Sequence, residues 1–106
     1  MKFGLQQSTI NKINEVFEKQ AIVDEVVIYG SRAKGNYRNG SDIDITLKGN
    51  NISFEILSKI SSEIDDLNTP YMFDISIFAT LISPEFIDHI NRVGQIFYKK
   101  RTESKT

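Results

Sequence analysis

Asp42-Ile43-Asp44-Ile45-Thr46-Leu47 alternates polar and apolar residues without a fault, the period-2 pattern of a strand with one buried face. Ile43, Ile45 and Leu47 then point into a core. Asp42 and Asp44 share the other face, with Cα atoms about 6.6–6.8 Å apart at the usual rise per residue. Asp is depleted in strands, and two neighbouring carboxylates repel unless a cation lies between them. The stretch therefore predicts both a sheet and a chemical use for it.

Working outward, the apolar run Val26-Val27-Ile28-Tyr29 predicts a buried strand halted by Gly30. Residues 31–41, rich in Gly, Asn and Ser, predict a loop with one helical turn at its start. Upstream, Ile10, Ile13, Val16 and Phe17 predict an amphipathic helix over 8–20, with Ser8 as its cap. Downstream, Phe54, Leu57, Ile60, Ile64 and Leu67 predict a second long helix closed by Asn68-Thr69-Pro70. Tyr71 to Phe78 predicts a third strand, with Phe73, Ile75 and Ile77 on one face and Asp74 on the other. Ser83-Pro84-Glu85 predicts a helix start, with Ser as cap and Pro in the first turn. That helix carries Phe86, Ile87, Ile90 and Val93 to Gly94, and Gln95 to Tyr98 predicts a short last strand. The order implies an α+β fold, a small mixed sheet with helices packed on one side.

The 106 residues include 13 Lys and Arg against 14 Asp and Glu, one His and no Cys. This length predicts a single domain over residues 1–98, with 99–106 a polar, flexible tail. Without Cys, disulfide frameworks, thiolate zinc sites and cysteine nucleophiles are excluded. His89 alone cannot build a zinc protease site. Metal chemistry must then rest on carboxylates, which suit hard ions such as magnesium or manganese. No apolar run reaches the ~18 residues of a membrane helix, and no signal peptide is visible. A cytoplasmic protein is expected. The balanced charge is unevenly distributed: Arg32 to Gly40 holds three basic residues and no acid, while residues 1–98 hold nine basic against thirteen acidic residues.

If the third strand lies beside the second, Asp74 joins Asp42 and Asp44 on one sheet face. Such a trio suits two magnesium ions that activate an attacking oxygen and neutralise a leaving pyrophosphate. Gly30 permits a positive φ and close backbone approach, and Ser31 offers a hydroxyl and an N–H. Arg32, Lys34 and Arg38 add charge that suits outer phosphates. His89 reads as a surface or boundary residue. Tyr29 reads as the end of a core strand, and Tyr37 as an open choice among nucleotide contact, partner contact and no role.

Tyr29-Gly30-Ser31, ten residues, then Asp42-Ile43-Asp44-Ile45 resembles the signature of nucleotidyltransferases of the DNA polymerase beta superfamily, with Phe73-Asp74-Ile75 similar to its third element. Gly30-Ser31-Arg32-Ala33-Lys34-Gly35 with Ser41-Asp42 most resembles the minimal nucleotidyltransferases, the MNT group, antitoxin partners of HEPN-domain toxins. The resemblance implies a polymerase beta-like fold in which Gly30 and Ser31, with Arg32, Lys34 and Ser41, bind a nucleoside triphosphate. Asp42, Asp44 and Asp74 would be both catalytic and metal-binding, with two Mg2+ ions, or Mn2+ in their place. It implies transfer of AMP from ATP to a hydroxyl, a tyrosine of a cognate HEPN toxin, as a type VII antitoxin. Two alternatives stay open: an antitoxin that neutralises by binding alone, and nucleotidyl transfer to a small molecule. The latter is disfavoured because polymerases and drug-modifying members carry extra acceptor domains. Membrane association is not expected, and the basic tail alone gives only modest attraction to nucleic acid.

Overall fold

The computed structural model describes residues 1–101. Four strands form one mixed sheet in the order β3-β2-β1-β4, with β1 Glu25–Tyr29, β2 Ile43–Lys48, β3 Phe73–Ile77 and β4 Gln95–Lys99. β1 runs antiparallel to β2 and to β4, whereas β2 and β3 are parallel. Parallel neighbours need a crossover, which α3, Phe54–Asp65, provides. α1 is Gln7–Glu18, α2 is the single turn Ser31–Lys34, and α4 is Pro84–Val93. A 3-10 turn at Phe78–Thr80 follows β3 directly.

The alternation in β2 sorts its side chains as expected. Ile43, Ile45 and Leu47 are fully buried, together with Val26 and Ile28 of β1. Against this face α1 packs Ile10, Ile13, Val16 and Phe17, and α3 packs Ile60 and Ile64. Each such apolar side chain stabilises the fold by roughly 1.5–3 kcal/mol on full burial.

The packing of helices on one side holds for α1 and α3 but not for α4. Val27 and Tyr29 are apolar on the opposite face of β1, and α4 covers them with Phe86, Ile90 and Val93. Leu81 and Phe78 complete this smaller second cluster. α4 therefore shelters the β1 part of that face, and the 3-10 turn lies against β2, where Thr46 is fully buried; the face stays open toward Asp42 and Asp74, which are exposed.

Helix ends follow local chemistry with one exception. Ser83 caps α4 by accepting the Phe86 N–H at 3.3 Å, and Ser53 caps α3 by accepting the Ile56 N–H at 3.2 Å. Ser8 lies inside α1, whose cap position is Gln6 and carries no side-chain cap. Lys99 is the last residue of β4, and Lys100 is tied to the domain through its N–H to the Asp24 carbonyl at 2.8 Å. The rest of the predicted tail, 102–106, lies outside the described residues. Among the described residues, no helix is long and apolar enough to cross a membrane.

Candidate active site

The parallel register of β2 and β3 sets Asp44 directly opposite Asp74, and the antiparallel register of β1 sets Tyr29 opposite Asp44. Asp42 immediately precedes β2, two residues from Asp44 and on the same side. The three predicted carboxylates thus gather at one end of the open face. Asp42 and Asp74 are exposed, while Asp44 is half-buried.

Gly30 links this acidic group to the start of α2. Its φ of +77° is open to glycine at little cost. A Cβ there would stand 2.5 Å from Oδ2 of Asp44, so the carboxylate rests against bare backbone. Ser31 opens α2, whose first N–H groups have no intrahelical acceptor.

Electrostatics mark Asp44 as the strained member. Burial is the main cause raising its pKa above the usual carboxylate value, followed by the charges of Asp74 and Asp42, while His89 acts in the opposite sense. Among the described residues no three Asp, Glu or His side chains form a ready-made metal cluster. Repulsion of this kind keeps uncompensated carboxylates apart, and a hard divalent cation is the partner that relieves it. The donor set fits such an ion: all hard oxygen, no thiolate.

Tyr29 and His89 belong to the same place, although the sequence reading set both outside it. The Tyr29 ring is buried and meets Phe86 edge-on at 5.4 Å and His89 edge-on at 6.2 Å. Its hydroxyl pKa is pushed up to about 12, chiefly by burial, then by the charge of Asp74, with Ser76 opposing and Asp44 adding. Beside it Ser76 donates to Thr46 Oγ1 at 2.8 Å, a polar pair under the carboxylates. The signal for His89 was its position three residues after Phe86, which brings both to one helical face.

The remaining predicted residues divide. Lys34 is exposed in the last turn of α2. Arg32, expected to reach outward to phosphates, is instead buried at 3 % exposure. Its Nε donates to the Ser41 carbonyl at 3.0 Å and its Nη1 to the Phe3 carbonyl at 2.8 Å. The Ser41 hydroxyl is engaged locally, accepting the Arg38 N–H at 2.8 Å. Arg32 and Ser41 therefore shape the loop that delivers Asp42.

The family profile described as "Polymerase beta, Nucleotidyltransferase" matches residues 11–103. The inferred protein adenylyltransferase MJ0141 of Methanocaldococcus jannaschii is 31% identical over 80 residues, covering 68% of this chain and 76% of that protein. Among solved structures, a toxin-antitoxin with AMP-PNP matches at a TM-score of 0.63 and 18% identity, covering 87% of this chain and 74% of the other. The structure of tri-AMPylated Shewanella oneidensis HEPN toxin in complex with MNT antitoxin matches at 0.60 and 18% identity, covering 91% and 74%. At these identities the two structures speak for the fold.

Proposed function

The chain belongs to the polymerase beta nucleotidyltransferase family, and on that premise we propose that it is a protein adenylyltransferase that moves AMP from ATP to a tyrosine hydroxyl of a HEPN-type toxin, acting as its antitoxin in the cytoplasm. The observation that carries the reading is the register Asp44↔Asp74, with Gly30 backed against the Asp44 carboxylate. The relatives supply the chemistry by analogy: one is named for protein adenylyl transfer and another is a complex with an AMPylated HEPN toxin.

In this reading the acceptor oxygen attacks the α-phosphorus, the bond to the bridging oxygen breaks, and pyrophosphate leaves. Asp74, exposed on the open face, takes the hydroxyl proton. Gly30 and Ser31 bind the triphosphate, with Lys34 in reach of its outer charge. The bond from Arg32 to the Ser41 carbonyl holds the loop that leads to Asp42. Asp42, Asp44 and Asp74 would hold magnesium, or manganese, which when bound supplies charge neutralisation and Lewis-acid activation. Tyr29, opposite Asp44 in the sheet, and His89, which meets the Tyr29 ring, border the acidic group.

Labelled ATP, magnesium and a HEPN partner, incubated with this protein, should put label on the partner. Asp42→Asn with Asp44→Asn separates the two modes of neutralisation: loss of labelling and of neutralisation together supports transfer. Neutralisation that survives without labelling would assign the role to binding instead.

A further inference from the structure

Arg32 is a buried cation without an acidic partner. Buried charges are ordinarily paired, yet among the described residues no carboxylate oxygen lies within 4.0 Å of this guanidinium. It lies over two aromatic rings, with its central carbon 5.2 Å from the Tyr37 ring centre and 5.0 Å from that of Tyr71. Gly4 closes in from the N-terminal segment: a Cβ there would meet Arg32 Nη1 at 2.8 Å. Of the five N–H donors a guanidinium carries, the Ser41 and Phe3 carbonyls take two. The group is thus fixed in position and orientation with hydrogen-bonding capacity unused.

A cavity of about 260 Å³ opens on it, lined by Arg32, Tyr37, Arg38, Asn39, Gly40 and Tyr71 along with Gly4 and Pro70. No acid lines it. Two guanidinium side chains, an amide and two phenols surround a space ample for a small polyoxygen anion. A carboxylate would offset one of the two positive charges, whereas a phosphoryl dianion offsets both and presents more acceptor oxygens to the same donors.

We propose that this cavity is an anion subsite that takes a phosphoryl group, apart from the turn at Gly30 and Ser31. Two sources share that chemistry: the outer phosphate of a bound nucleotide, and a separate phosphate, free or carried by a partner.

The test is a titration of the full chain with inorganic phosphate at constant ionic strength, followed by the backbone amide shifts of Gly4 and Gly40 and by tyrosine fluorescence. Saturable changes are expected in the parent protein. Arg38→Gln, on an exposed loop, should weaken binding about tenfold with melting unchanged, as for loss of one charge-assisted contact. Arg32→Lys should weaken it further, because an ammonium cannot reproduce the planar fork. Repeating the titration with saturating AMP-PNP and magnesium identifies the source: displacement assigns the subsite to the nucleotide's own phosphate, and joint binding assigns it to a second anion. The proposal is overturned if phosphate produces no more than chloride does, or if Arg38→Gln and Arg32→Lys both bind as the parent.

Discussion

Two regions flank the loop over residues 35–41, and they are electrical opposites. On the open sheet face, Asp42, Asp44 and Asp74 lie on one side of the strands, and burial, followed by the charges of Asp74 and Asp42, raises the Asp44 pKa. Beneath the loop, Arg32 and Arg38 border a cavity that no acid lines. Three ion pairs lie elsewhere among the described residues: Arg92 with Asp88 at 2.8 Å, Lys19 with Glu63 at 3.6 Å, Lys100 with Asp24 at 3.7 Å. Such surface pairs are worth little; what distinguishes the two regions is that burial removes Arg32, and in part Asp44, from solvent without an ion pair among the described residues. The ligands proposed for the two places, a divalent cation and a phosphoryl anion, are opposite in sign.

The comparison can be broken most severely through the scaffold both regions share. Ile45→Asp puts an unpaired charge at a fully buried position, a cost of several kcal/mol, and should leave the chain unfolded or aggregated by circular dichroism and light scattering. Normal melting would mean that the two faces of β2 are inverted.

Asp44→Asn acts on the acidic region alone. Transfer should fall on the order of 10³-fold or more, by analogy with loss of a principal charge-stabilising group, while the apo protein melts a few degrees higher at pH 7 because a charge disfavoured by burial, and then by its acidic neighbours, is gone. A variant that loses activity and also melts lower would show that Asp44 is structural.

Gly30→Ala is the next step down. A Cβ at 2.5 Å from the carboxylate and a φ of +77° force Asp44 to move, so transfer should drop by about two orders of magnitude with the strand order intact. Activity near the parent's would show that the close approach of backbone and carboxylate is incidental.

Smaller effects come from pH. The folded-state pKa of Asp44 is raised, so folding holds its proton more tightly than the unfolded chain does. The associated stability is present below the unfolded value and lost as pH rises through the folded one. Magnesium should accordingly raise the melting temperature more at pH 7.5 than at pH 5, and an equal rise at both would place the ion elsewhere. Tyr29 obeys the same sign at the other end of the scale: with a folded pKa of about 12 against 10.0, its contribution is lost between those values. Spectrophotometric titration of the phenols should find Tyr29→Phe missing the last one to ionise.

Much of the acidic region was legible because its signals are local. The alternation over 42–47, the Gly30-Ser31 turn and the acid within Phe73-Asp74-Ile75 each occupy a few residues, and only the pairing of β3 with β2 had to be assumed. The cationic region was not legible. Arg32 sits among Gly, Asn and Ser residues and reads as an outward-facing loop charge; its burial depends on Phe3, Tyr37 and Tyr71, which folding alone brings together. His89 and Tyr29 were missed for a related reason. Their meeting requires α4 to cover the second face of β1, and period-2 and period-3.6 patterns say which residues are apolar, not which face of a sheet a helix will choose.

The register of β2 also sets how the gene can change in length. Side chains alternate across a sheet, so inserting or deleting one residue between 42 and 47 would exchange the isoleucines for the aspartates on every later position. The loop before it faces no such parity rule: a Cβ at Gly35 or Gly40 would meet nothing within 4 Å. A codon-insertion scan should therefore find viable lengths clustered at 35–40 and an abrupt boundary at Asp42, with length variation permitted beside the proposed site and forbidden two residues further on.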